Sequence, residues 1–192
     1  MKWRQEQMFA KEMLKQSLPL LIFCGLGGIV AGRTLGEMTD LLKNIPGLIV
    51  IIPAIIALRG NISTTFGSRL GSAYHLGVID AENMWNVELK QNIIGSLILS
   101  FLVSITIGIL AYSITIIFFD LNPNPIKIIL IVILAGMLSG LILTLLTIII
   151  IFAVFKRGYD PDNITGPALA TFGDIITMFC IFGSAIFIEA LL

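Results

Sequence analysis

Pro167-Ala-Leu-Ala-Thr-Phe-Gly-Asp174-Ile-Ile-Thr-Met-Phe-Cys-Ile-Phe-Gly-Ser-Ala-Ile-Phe-Ile188 carries one charge in 22 residues. About 20 apolar residues suffice for a helix to cross the hydrocarbon core of a bilayer, so this run reads as a membrane span. An aspartate near its centre costs roughly 2.5–3.5 kcal/mol on insertion scales, and residues of this kind face a partner, a cavity or an ion path. Asp174 is therefore the first candidate site residue.

The rest of the chain agrees with a membrane setting. Of its 192 residues 57% are hydrophobic and 12% charged, with a mean hydropathy of +1.00. No Asp, Glu, Lys or Arg falls between Lys90 and Asp120 or between Lys127 and Lys156, and each gap exceeds the length a spanning helix needs. Five apolar segments emerge, at about 16–36, 44–74, 91–119, 126–155 and 167–190. They predict an all-α integral membrane protein, a five-helix bundle forming one domain over 1–192, with 1–15 a short cytoplasmic segment. That opening segment is too polar to be the apolar core of a signal peptide. With the N-terminus inside, nine of the twelve basic residues lie on the inner side, Arg59 and Arg69 among them, and three (Arg33, Lys43, Lys127) outside. The positive-inside rule then gives N-in, C-out.

Small residues recur every fourth position: Gly28, Gly32 and Gly36; Ser63, Gly67 and Gly71; Ser96, Ser100, Ser104 and Gly108; Gly136, Gly140 and Thr144. Each set shares a helix face and predicts close packing of backbones. Pro53 and Gly60-Asn61 interrupt the second span, where freed carbonyls would be tolerated only against protein or water; the alternative is a helix that ends at Arg59. Asp120-Leu-Asn-Pro-Asn-Pro125 reads as a turn. Residues 79–92 read as a segment along the inner membrane surface, with Trp85 at the headgroup level. Cys24 and Cys180 have no metal-ligand spacing and read as packing residues, and His75 as a helix-end residue. Zero net charge without a basic cluster argues against nucleic acid.

On a helix, Gly166, Ala170 and Asp174 fall on one face, and Thr171 and Thr177 flank the acid at three residues either way. The face offers a carboxylate, space and hydroxyls. One carboxylate does not neutralise a divalent ion, whereas two copies of Asp174 across a two-fold axis supply −2. Two carboxylates with retained waters suit Mg²⁺, which dehydrates reluctantly.

Pro53-Ala54 ahead of Gly60-Asn61, together with Asp160-Pro-Asp-Asn163 ahead of Pro167-Ala-Leu-Ala-Thr-Phe-Gly-Asp174, resembles the membrane region of the MgtE magnesium transporters. The Asp-Pro-Asp-Asn form is closer to the solute-carrier branch of that superfamily. The resemblance implies a homodimer in the plasma membrane whose central pore is lined by the second and fifth spans. Asp174 would be the metal ligand, with Gly166, Ala170, Thr171, Thr177, Gly60, Asn61 and Pro53 lining the pore and Asp160, Asp162 and Asn163 at its entrance. The cargo would be Mg²⁺, with Mn²⁺ or Co²⁺ open. The bacterial cytoplasmic sensing domains have no counterpart in this sequence, and a single unit is expected to pair with another chain.

Three other readings compete. A proton- or sodium-coupled exchanger or exporter would use Asp174 equally well. An intramembrane aspartyl protease would need Asp160 and Asp174 close enough to share a proton, yet 14 residues of continuous helix separate them by roughly 21 Å. A structural membrane subunit needs no site at all. A transporter rather than an enzyme is the expectation.

Overall fold

The computed structural model describes the backbone of residues 2–79, 85–157 and 161–192, and side chains from Leu14 onward except those of Gln16 and residues 158–163 and 80–84. Six helices follow in order: α1 (Lys2–Glu37), α2 (Thr39–Asn44), α3 (Leu48–His75), α4 (Val87–Phe119), α5 (Pro125–Lys156) and α6 (Pro161–Leu191). Five of them contain stretches long and apolar enough to cross a membrane: Ser17–Glu37, Leu48–His75, Val87–Phe119, Pro125–Lys156 and Ile164–Leu191. The expected five spans are present, and the described residues contain no strand.

The turns follow local chemistry. Gly47 precedes α3 at φ 93°. A side chain there would also strike the Thr115 hydroxyl at 2.6 Å and Ile128 Cδ1 at 2.9 Å, so both conformation and space call for glycine. Asp120 ends α4 at φ 50°. Asn124 then caps α5, its side-chain oxygen accepting from the amides of Ile126 and Lys127, while Pro125 occupies the first turn, where its missing N–H is no loss. This is the Pro/Asn turn expected from sequence.

Boundaries depart from the sequence reading in four places. The second span is not broken: α3 runs unbroken through Pro53 and Gly60-Asn61 to His75, because its buried side packs along its length. Residues 39–44 form the separate helix α2. Val87–Asn92 belong to α4, whose first turn is capped by Asn86 accepting from the Leu89 amide at 2.8 Å. That shortens the expected surface segment, of which 80–84 lie outside the described residues, and leaves Trp85 exposed. Finally α6 begins at Pro161, not near 167, as suits proline in a first helical turn.

α6 packs among α1, α3 and α5, and α5 among α3, α4 and α6. Two apolar clusters result. One joins Ile45–Ile56 with Ala111, Ile128–Ala135 and Met178–Ile188; the other joins Phe66–Ile79 with Leu89 and Ile148–Phe155. α3 and α6 are thus antiparallel. The layer between the clusters is rich in hydroxyls that close on their own helices, as an apolar surrounding demands. Ser100 Oγ donates to the Ser96 carbonyl at 2.7 Å, Ser139 Oγ to Ala135 at 2.6 Å and Thr147 Oγ1 to Leu143 at 2.7 Å.

Three small-residue stripes pack as expected. Gly136 faces the Ser104 hydroxyl, Gly140 faces Ser100, and Gly67 faces Leu169 and Ile151. The stripe Gly28, Gly32 and Gly36 does not: nothing lies within 4 Å of where their side chains would stand, and Gly27 instead seats α1 against Thr171 and Ile175. At the far end Lys127 Nζ donates to Glu189 Oε2 at 3.1 Å, joining the start of α5 to the end of α6.

Candidate ion site on the open face of α3 and α6

The Gly67–Leu169 contact fixes the register of the antiparallel pair. Five residues onward from Leu169 is Asp174, and five back from Gly67 is Ile62, so Asp174 stands within one turn of Gly60 and Asn61 in height. It lies in the polar middle layer and is half-buried. Along the same face Ala170 is exposed and Gly166 half-buried, with open space where a Gly166 side chain would stand. Leu169, one residue from Ala170, is wholly buried. The face chosen from spacing therefore looks outward from this chain, while its neighbour packs inward.

Alongside lies a cleft of about 290 Å³, between Thr64, Gly67, Ser68, Gly71, Ser72 and His75 of α3, Ile151 of α5, and Thr165, Gly166 and Leu169 of α6. Thr165 Oγ1 is buried in its wall with no hydrogen-bond partner. The exposed side of α3 continues the theme: Pro53, Ala57, Asn61, Thr65, Ser68 and Ser72 are all exposed, and all are small or polar. Exposed positions of α4 are instead Ile94, Ile98, Leu102, Ile109 and Phe118. Lipid covers the second kind of surface; the first calls for water or more protein.

Not every sequence-predicted residue reaches this face. Thr171 abuts α1 at Gly27. Thr177 is wholly buried and its hydroxyl has no partner. Asn61, exposed, also lines a second cleft of about 280 Å³ against α4, with Arg69, Glu88 and Gln91. Gly60 is half-buried beside open space, and Pro53 is exposed. Asp160 lies outside the described residues, and only the backbone of Asp162 and Asn163, in the first turn of α6, is described. Cys24 and Cys180 are half-buried free thiols, Cys24 Sγ donating to the Pro167 carbonyl at 3.5 Å. His75 ends α3, edge-on to Phe155.

Arg59 is the residue that sequence reading misplaced. Far from lying at the inner end, it is 1% exposed in the middle layer. Its Nη1 donates to Ser100 Oγ at 2.7 Å and lies against Gly140, where any side chain would collide with it. Nε and Nη2 have no partner. The positive-inside count for an N-in orientation therefore falls from nine basic residues to eight. The signal was available: position 59 is the midpoint of the segment 44–74.

Among the described residues no three His, Cys, Asp or Glu side chains gather into a metal-binding group. A divalent ion at Asp174 would need waters, hydroxyls or a second chain to complete its shell.

The chain is similar to solute carrier family 41 member 2 of Xenopus laevis, 30% identical over 175 residues, covering 86% of this chain and 30% of that protein. The human member 2 is 29% identical over the same length and shares. Member 3 of Rattus norvegicus is 27% identical over 176 residues, 84% of this chain and 36% of the relative. The chain thus spans about a third of the length of the curated relatives it matches. The family model MgtE, described as divalent cation transporter, matches residues 52–184, a stretch that includes α3 from its second turn, all of α4 and α5, and α6 as far as Ser184, Asp174 within it. The chain belongs to the MgtE family, on its solute-carrier side.

Proposed function

We propose that this chain is a single membrane unit moving divalent cations, Mg²⁺ foremost, across the plasma membrane, with the N-terminus inside and the C-terminus outside. The observation that carries the reading is the placement of Asp174 on an outward face whose neighbouring helix presents small and polar side chains from Pro53 to Ser72, Ile49 at its start being the large apolar residue exposed on α3. Two copies related by a two-fold axis would bring those faces together, bury them from lipid and enclose a water-filled path. Each copy would contribute one Asp174, and the pair would balance one Mg²⁺ that keeps several of its waters. Membership of a divalent cation transporter family supports the choice of cargo. Gly166 and Ala170 would leave room for the hydrated ion, and the hydroxyls of Thr64, Ser68 and Ser72 would line its route.

The test is Mg²⁺ uptake into proteoliposomes by Asp174→Asn, which keeps shape and removes charge. Uptake should be abolished while the protein stays folded. Normal flux through the purified variant would sink the assignment, and a mass measurement in bilayers showing only active monomers would remove the shared site.

A further inference from the structure

Arg59 and Asp174 are the only charged side chains among the described residues of the middle layer, one on α3 and one on α6. They do not form an ion pair. The guanidinium points away from the exposed stripe of α3, into the space between Ser100 and Gly140, and two of its nitrogens stay without partners. A buried arginine with one neutral hydrogen bond is a costly structural pin, since the charge adds desolvation and a serine returns little. Its height matches that of the acid: in the α3/α6 register position 59 stands opposite position 177, one turn from Asp174.

We propose that Arg59 is the second charged element of the ion site, a fixed positive charge behind the α3 wall that balances Asp174 when the site is empty and weakens its hold on a divalent ion. This inference rests on Asp174 being the ion carboxylate. With two Asp174 and two Arg59 the empty middle layer is neutral, and a bound Mg²⁺ leaves it at +2. The guanidinium turns toward α4 and α5 while Asp174 stands on α6, so the two charges act across packed protein and not in contact. Screened only in part by a low-dielectric wall, a fixed charge acts on a divalent ion without touching it. Passage requires binding firm enough for entry and weak enough for exit. Arg59 supplies the weakening, and Ser100 and Gly140 hold it where it can.

The experiment measures Mg²⁺ flux against Mg²⁺ concentration for the full chain in proteoliposomes. Arg59→Gln removes the charge and keeps a polar, hydrogen-bonding side chain, though a shorter one; Ser100→Asp leaves Arg59 in place and neutralises it, so a folding failure of one variant leaves the other. Each should lower the half-saturating Mg²⁺ concentration on the order of ten-fold and reduce maximal flux. Ser100→Ala and Arg59→Lys, which keep the charge but disturb how it is held, should each shift half-saturation less than the neutralised variants do. Unchanged half-saturation in the neutralised variants, or an equal shift in Ser100→Ala, would overturn the proposal and leave Arg59 a packing residue. If Asp174→Asn transports normally, the Asp174 reading itself has failed, a result distinct from both.

Discussion

Leu169 and Ala170 are adjacent in sequence and opposite in environment, and that contrast separates a packing role from a path role. Leu169 is 0% exposed, with Cδ1 3.1 Å from where a Gly67 side chain would begin. In a bilayer the transfer term for an apolar side chain largely cancels, because lipid is as apolar as leucine, so Leu169→Ala loses mainly the cavity term. Removing three methylene-sized groups, roughly 80 Å³, at ~24 cal/mol per Å³ gives about 2 kcal/mol. For a chain of this size that lowers the melting temperature by about 4–8 °C. Ala170→Leu adds the same volume to an exposed face and should move stability by less than about 0.5 kcal/mol, while obstructing a partly hydrated ion. Thermal unfolding in detergent and Mg²⁺ uptake per reconstituted protein should therefore dissociate. The first variant melts early yet transports; the second melts normally and loses on the order of ten-fold in flux. Normal flux with unchanged melting in Ala170→Leu would refute the outward path, and an unchanged melting temperature in Leu169→Ala would refute the Gly67 contact.

Two further outcomes follow from other contacts. Gly136→Ala would gain up to about 1 kcal/mol from helix propensity, but its methyl would meet the Ser104 hydroxyl and stand 3.0 Å from Ser104 Cβ. Net destabilisation of about 1–3 kcal/mol is expected, and a higher melting temperature would show that α4 and α5 do not approach so closely. Ala170→Cys should react with a water-soluble thiol reagent, more slowly when Mg²⁺ is present; an inert thiol would place this face in lipid or protein.

Much of this arrangement was legible before any coordinates. Charge-free gaps longer than a bilayer is thick admit few alternatives, so α4 and α5 could be read directly. The face shared by Gly166, Ala170 and Asp174 needed only helical periodicity. What periodicity leaves open is which neighbour each face meets. Thr171 and Thr177 flank Asp174 symmetrically in sequence, yet Thr171 meets α1 and Thr177 is buried. Gly28, Gly32 and Gly36 carry the same spacing as the packed stripes and face outward from the chain. Arg59 was misplaced for a different reason. An arginine beside Gly-Asn looks like a helix end by composition, and it stays inside against the Ser100 hydroxyl of α4 and the space left by Gly140 of α5.

The continuity of α3 narrows how an ion could be handled. A broken helix would offer carbonyl oxygens in place of water, as irregular backbone does where it lines a cavity. α3 keeps its helical course through Pro53 and Gly60, so the acceptor that Pro53 leaves without a donor is the single carbonyl of Ile49, more than three turns from the height of Asp174. Ligands for an ion at this height must then be side chains and retained water, which suits a cation that gives up its hydration shell reluctantly. With few direct ligands, the proposed site would set affinity mostly by charge at a distance. α3 sits where that charge is decided, since its front presents the small and polar stripe beside Asp174 and its back carries Arg59. A substitution on either face should therefore alter ion handling differently: the front changes room and hydration, and the back changes how tightly the ion is held.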